Sequence, residues 1–229
     1  MPAAELKVHV TDAESVTALL YPVAKTGRMG TTIILGHGAG ANQLNGFMRL
    51  FASGLAERGI DVVTFNFLYT EQGRKIPDPG LRLEACYRAV IDAVLKHRKL
   101  KGNRLAIGGK SMGGRIASQV AAINGDNIDA LVFLGYPLHP PGRPDKHRSE
   151  HLPKIKAPML FVQGSRDAFG TKQEVAAVIK ELKLPAKLHA IEGADHSLKV
   201  PKKAGVNQQD IYEESMNTIA EWLKTSLLT

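Results

Sequence analysis

Cysteine is nearly absent: Cys86 stands alone among 229 residues, so neither an internal disulfide nor a cysteine-based zinc cluster can hold this chain together. Tryptophan is as scarce, with only Trp222; Cys86 falls on an apolar helical stripe as an expected core thiol, and Trp222, on the last predicted helix, is expected to serve packing or an interface. Long apolar stretches are missing too. No uninterrupted hydrophobic run exceeds half a dozen residues, far short of the ~20 that cross a bilayer, and Met1 to Val10 holds no signal-like segment. No membrane association is expected, and the expected location is cytoplasmic. Internal repeats and linkers that would split the chain are also lacking. With 44% hydrophobic and 23% charged residues, the composition is that of a folded globular chain, and one α/β domain over residues 1–229 is the expectation.

Positive charge is in excess, 30 Lys and Arg against 22 Asp and Glu, a formal +8. The basic residues are scattered, however. The densest group, Lys96, His97, Arg98, Lys99 and Lys101, closes a predicted helix, where cations offset the helix dipole, so no nucleic acid partner is expected. Arg143, Lys146 and Arg148 are open to two readings, a basic group that faces a cleft and favours an anionic substrate or, preferred because Asp145 and Glu150 are interleaved, a solvated loop.

Short continuous apolar runs punctuate the chain at Thr32 to Leu35, Val62 to Phe67, Leu105 to Ile107, Leu131 to Leu134 and Met159 to Val162. Continuous rather than alternating apolarity marks strands covered on both faces. Between them, Leu83, Cys86, Tyr87, Val90, Ile91, Val94 and Leu95 keep helical spacing, as do Val175, Val178, Ile179 and Leu182. Phe47, Leu50, Phe51 and Leu55 begin a third stripe that ends at Gly59, and a last helix is predicted over Gln208 to Leu227. This alternation predicts a mostly parallel, doubly wound sheet with helices on both faces. Leu6 to Val10 and Val16 to Val23 precede it without an intervening helix, which predicts an antiparallel hairpin at the sheet edge. Leu138 to Pro158, with five prolines, reads as a long ordered loop or a very short cap, not a cap domain.

Leu105, Ala106 and Ile107 run into Gly108-Gly109-Lys110-Ser111-Met112-Gly113-Gly114 and then into the helical pattern Ile116, Ala117, Val120, Ala121. Strand, Gly-x-Ser-x-Gly, helix is the context of a nucleophile elbow. The turn is so tight that Gly109 and Gly113 are expected to lack a Cβ to avoid colliding with the serine between them. Ser111 would stand at the carboxyl edge of the sheet, with the Met112 amide as first donor to a developing oxyanion. The partners should follow in the order Ser, acid, His. Asp167 follows the Met159 to Gln163 strand, and His196 follows a strand over Lys187 to Ile191. Asp195 adjoins His196 and competes as the acid, but neighbours in sequence do not easily bring carboxylate and imidazole face to face. The strand Thr32 to Leu35 opens into Gly36-His37-Gly38-Ala39-Gly40, where the Ala39 amide, in preference to Gly40, is the expected second oxyanion donor and His37 is expected to brace the loop.

These motifs, with Tyr136-Pro137-Leu138-His139-Pro140-Pro141, Phe161-Val162-Gln163-Gly164-Ser165-Arg166-Asp167 and Ala194-Asp195-His196-Ser197, resemble the α/β-hydrolase superfamily. More narrowly, the chain is similar to the small branch that contains testis-expressed protein 30 and its bacterial relatives, near the dienelactone hydrolases. The resemblance implies a capless serine hydrolase with Ser111, Asp167 and His196 at the nucleophile, acid and base positions. A carboxylesterase acting on small, short-acyl esters without a cofactor or metal is the functional expectation. A binding or scaffold protein that keeps the fold without the catalysis is the alternative.

Two phosphate-binding patterns fit less well. Gly109-Lys110-Ser111 imitates the tail of a phosphate-binding loop, but the first glycine of that motif would fall at Arg104. Gly36, Gly38 and Ala41 imitate a dinucleotide fingerprint, yet no acidic residue lies near Asn66 and Phe67, where the ribose would need one.

Overall fold

Strands without a polar face need cover on both sides, and the chain supplies it with two layers of helix. The computed structural model describes residues 3–23, 27–123, 125, 127–202 and 205–227. Its strands are β1 (Ala4–His9), β2 (Ser15–Tyr21), β3 (Thr31–Gly36), β4 (Ile60–Phe65), β5 (Arg104–Lys110), β6 (Ala130–Leu134), β7 (Met159–Gly164) and β8 (Ala186–Ile191). The helices are α1 (Gly46–Glu57), α2 (Leu68–Glu71), α3 (Gly80–Lys96), α4 (Met112–Ile123), α5 (Lys172–Glu181) and α6 (Gln208–Leu227). One eight-stranded sheet runs in the order β1-β2-β4-β3-β5-β6-β7-β8. The β1–β2 hairpin and the β2–β4 pair are antiparallel; every pairing from β4 to β8 is parallel. This is the α/β-hydrolase fold without a cap domain.

Burial follows the sequence pattern. Every residue of β3, β4, β6 and β7 is buried, whereas the edge strands β1 and β8 expose one face. On one side α1 and α6 pack Phe51, Leu55, Met216 and Ile219 onto Ile33, Leu35, Val62 and Val132. On the other, α3, α4 and α5 pack Tyr87, Val90, Ile116 and Val175 onto Ile34, Phe65, Ile107 and Phe161. Local signals set the ends. Asn45 caps α1 by accepting from the Phe47 amide at 3.0 Å, and Gly59, at φ +88°, releases the chain after it. Thr171 and Glu174 cap α5 reciprocally.

One strand boundary needs correction. The strand read as Val62 to Phe67 is β4, Ile60–Phe65. After one last bond to β2, from the Asn66 amide to the Thr17 carbonyl at 3.1 Å, it stops because the Phe67 amide is taken up by His37 Nε2 at 3.3 Å. Phe67 remains buried, but as the residue that leads into α2. The Leu138 to Pro158 stretch is a loop whose regular structure is a single 3-10 turn, Leu152–Lys154.

The elbow glycines are needed for a different reason than crowding of the serine. A Cβ on Gly109 would lie 2.2 Å from the Gly36 carbonyl oxygen, and one on Gly113 would lie 2.1 Å from the same atom. What leaves no room is the end of β3, against which both the last residues of β5 and the first turn of α4 are pressed. Gly113→Ala should therefore lower stability by about 3 kcal/mol or more, the upper end of overpacking costs, since a backbone carbonyl cannot rotate away. Urea unfolding checks this; a midpoint equal to that of the unsubstituted protein would show that β3 and α4 are not in that contact.

Candidate active site

After β3 the chain passes to the α1 side of the sheet, and after β5 to the α4 side, so the two connections diverge and leave a crevice at the carboxyl ends of adjacent strands. Ser111 sits at its floor. Because α4 begins at the next residue, Ser111 is held in the left-handed region at φ +50°, a conformation that costs a non-glycine residue on the order of 1 kcal/mol. Its amide donates to the Leu134 carbonyl at 3.1 Å, and its carbonyl accepts from Arg115 at 3.0 Å, so both sides of the strained residue are fastened.

The Ser111 hydroxyl lies 2.8 Å from His196 Nε2, and His196 Nδ1 lies 2.8 Å from Asp167 Oδ2. Asp167 is fully buried, which a carboxylate tolerates only when donors surround it. Besides His196, the Phe169 amide donates to Oδ1 at 2.8 Å and Gln163 Nε2 to Oδ2 at 2.8 Å. Asp195 faces elsewhere. Its Oδ1 accepts from the Ser197 and Lys199 amides at 2.8 and 3.0 Å and so shapes the loop that carries His196. That loop reaches the sheet because residue 164 is glycine; a Cβ there would come within 2.4 Å of the Asp195 carbonyl oxygen.

Three residues missed from sequence complete the setting. Gln163 is a fully buried amide at the end of an otherwise apolar strand: its Oε1 accepts from the Tyr136 amide at 2.8 Å while its nitrogen reaches Asp167. A polar residue closing such a run was its only signal. Lys110 Nζ donates to the His196 carbonyl at 2.6 Å, and burial pushes its pKa down to about 8 against the opposing pull of Asp167 and Asp195. Phe169 lays its ring 4.2 Å from the imidazole, centroid to centroid.

A cleft of about 870 Å³ opens above these groups, and Ala39, Met112, Ser111 and His196 all line it. Among the described residues, neither the Ala39 nor the Met112 amide donates to another backbone carbonyl or side chain, whereas Gly40 does not line the cleft. His37 is fully buried beneath the loop; Nδ1 meets the Gly38 carbonyl at 2.8 Å, and burial lowers its pKa to about 4. Arg148 does not stand in a solvated loop, as residues 141–147 before it do. It lines the cleft, whereas Arg143 is exposed and paired with Asp145 at 3.3 Å. The loop's composition could not reveal this, because the contacts that turn Arg148 inward come from Tyr136 and Leu138.

Residues 29–224 match the family of the alpha/beta hydrolase domain, and the chain belongs to that family. Similar solved structures include an alpha-beta serine hydrolase homologue from Coxiella burnetii, 19% identical, covering 97% of this chain and 98% of that one at a TM-score of 0.76. A serine hydrolase without a lid from Xanthomonas campestris is 21% identical, with 97% and 95% covered and a TM-score of 0.75. A dienelactone hydrolase from Anabaena variabilis is 21% identical, with 97% and 98% covered and a TM-score of 0.74. No helix among the described residues is long and apolar enough to cross a membrane.

His151 resembles His37 electrostatically: burial, then the nearby Arg115 and Lys154 charges, lower its pKa from 6.5 to about 4. Both rings thus stay neutral in the folded chain while the same histidines in the unfolded chain protonate near 6.5. As pH falls from 6.5 towards 4, the unfolded state takes up protons first, so the protein should lose stability across that window. Urea-unfolding midpoints measured through it should decline, and His151→Gln should make the decline shallower. An unchanged slope in the variant would mean that His151 is not held neutral.

Proposed function

We propose that this protein is a serine hydrolase that cleaves small esters through an acyl-enzyme intermediate. The observation that carries the reading is the unbroken line from Ser111 Oγ to His196 to Asp167, with both contacts at 2.8 Å. In this mechanism His196 Nε2 takes the Ser111 proton as Oγ attacks the ester carbonyl, and Asp167 holds the Nδ1–H tautomer and stabilises the imidazolium. The amides of Met112 and Ala39 receive the oxyanion. The imidazolium then protonates the departing alkoxide; water, deprotonated by the same ring, attacks the acyl-serine and releases the acid. An ester is preferred over an amide because an alkoxide leaves with less assistance than an amine anion. Short acyl groups suit a cleft without a cap domain, and the residues named need no cofactor or metal. The partner is then a small-molecule ester.

A fluorophosphonate probe should form one adduct, on Ser111, because only an activated serine hydroxyl attacks that phosphorus readily. Folded protein left unlabelled at Ser111 would instead favour a binding or scaffold role. The acid is tested separately. Asp167→Asn places an amide where His196 needs an acceptor, so ester turnover should fall by about 10² or more; in a well-studied triad protease the equivalent change costs ~10⁴. Asp195→Asn should be much milder, since its acceptor oxygen survives. The reverse ranking of the two variants would reassign the acid.

A further inference from the structure

Positive charge inside a cleft is ordinarily neutralised by a neighbouring carboxylate, and several arginines outside the cleft of this protein are paired in that way. Arg28 pairs with Asp61 at 2.7 Å, Arg58 with Glu213 at 2.6 Å, and Arg74 with Asp78 at 2.6 Å. Arg115 and Arg148 break the pattern. Both line the cleft that contains Ser111, both are half-buried, and among the described residues neither forms an ion pair. Glu84, the acid nearest in influence to Arg115, is already paired with Arg88 at 3.5 Å. Among the described residues the Arg115 side chain makes one hydrogen bond, to Gln119 at 3.3 Å, and the Arg148 side chain makes none.

Like charges held together without a counter-ion repel, so the fold must fix them in place. It does so through the backbone. The Arg148 amide donates to the Leu138 carbonyl at 2.7 Å, and its carbonyl accepts from the Tyr136 hydroxyl at 3.0 Å, just after the exposed run 141–147. Arg115 lies one turn along α4 from Ser111, and its carbonyl accepts from the Ser118 hydroxyl at 2.7 Å. The same Ser118 oxygen lies 2.7 Å from His151 Nε2, three residues beyond Arg148. Helix and loop are thereby tied beneath the two guanidiniums. Burial and the Arg148 charge also lower the Arg115 pKa, the expected mark of a cation that lacks its anion.

We infer that Arg115 and Arg148 form an oxyanion-binding subsite of the cleft, which selects esters carrying a carboxylate or phosphate group besides the bond to be cleaved. Guanidinium donors offer paired, planar N–H groups that match either oxyanion. This deepens the hydrolase reading of Ser111 and rests on it.

The test compares matched esters. On the acyl side, mono-4-nitrophenyl glutarate is set against 4-nitrophenyl butyrate. On the leaving side, 4-acetoxybenzoate and 4-acetoxyphenyl phosphate are set against methyl 4-acetoxybenzoate, so that the carboxylate and phosphate arms are read separately. For at least one anionic ester, the ratio of its kcat/KM to that of its neutral counterpart should fall 10-fold or more in Arg115→Gln and in Arg148→Gln, mainly through KM. The Lys variants should retain part of the ratio, and Arg143→Gln, outside the cleft, should retain all of it. An unchanged ratio in every pair overturns the inference. If no ester is turned over and Ser111 takes no fluorophosphonate, the hydrolase reading fails but the subsite remains testable. Calorimetric titration with glutarate and with phenyl phosphate should then show binding that Arg115→Gln or Arg148→Gln weakens 10-fold, and no binding to the unsubstituted protein would reject it.

Discussion

Three backbone segments without side chains meet at one point, and the rest of the site depends on that contact. Gly36 at the end of β3 is the register partner of Gly109 on β5, and Gly113 in the first turn of α4 sits against Gly36. No Cβ fits on either of the last two without striking the Gly36 carbonyl. With β5 and α4 both pressed on β3, only Ser111 remains between them to turn the chain. The left-handed conformation of Ser111 is the geometric consequence, and so is its projection off the sheet edge. The strain is small beside the packing that imposes it: Tyr87, fully buried, ties the Ile34 and Gly108 carbonyls from beneath at 2.9 and 2.7 Å, clamping β3 to β5. Strain of about 1 kcal/mol persists at a functional position when its surroundings over-determine it in this way.

The opposite wall is built from polar groups. Asp167 and Gln163 are both fully buried at the end of β7, a placement that would be costly if any donor or acceptor were left over. The Gln163 amide resolves it by joining Tyr136 on one strand connection to Asp167 on the next. The His196 loop closes the assembly through two carbonyl contacts: Arg166 donates to Ala194 at 2.9 Å, and Lys110 reaches His196 itself. The imidazole is thus positioned from the elbow side as well as from the acid side, which couples the placement of base and nucleophile.

What could be read from sequence was what is local. Apolar runs, helical stripes, the Gly-x-Ser-x-Gly elbow and the loop positions of Asp167 and His196 all depend on residues close along the chain. The Asn66 and Phe67 amides were out of reach, since their acceptors on Thr17 and His37 are distant, and apolarity alone extends β4 too far. The reason for the elbow glycines was hidden likewise: the colliding atom belongs to residue 36, more than seventy positions away from both. Gln163 did leave a trace, as the one polar side chain closing Met159–Gly164, but a polar residue at a strand end usually meets water. Only the fold shows that this one meets Tyr136 and Asp167.

The excess of positive charge acquires a location by the same reasoning. Composition presents +8 as a property of the whole chain, and scattered cations suggest nothing beyond solubility. The fold divides them. Arg28, Arg58, Arg74, Arg82, Arg88, Arg104 and Arg143 are paired with acids, so their charge is cancelled where it stands. Lys110, Arg115, Arg148 and Lys199 line one cleft, against Asp78, which is already held by Arg74. A field of one sign within a concave, partly dry wall is screened far less than the same charges spread over a surface. Four cations without an ion pair among the described residues thus share one cleft with Ser111, where an incoming anion would meet them.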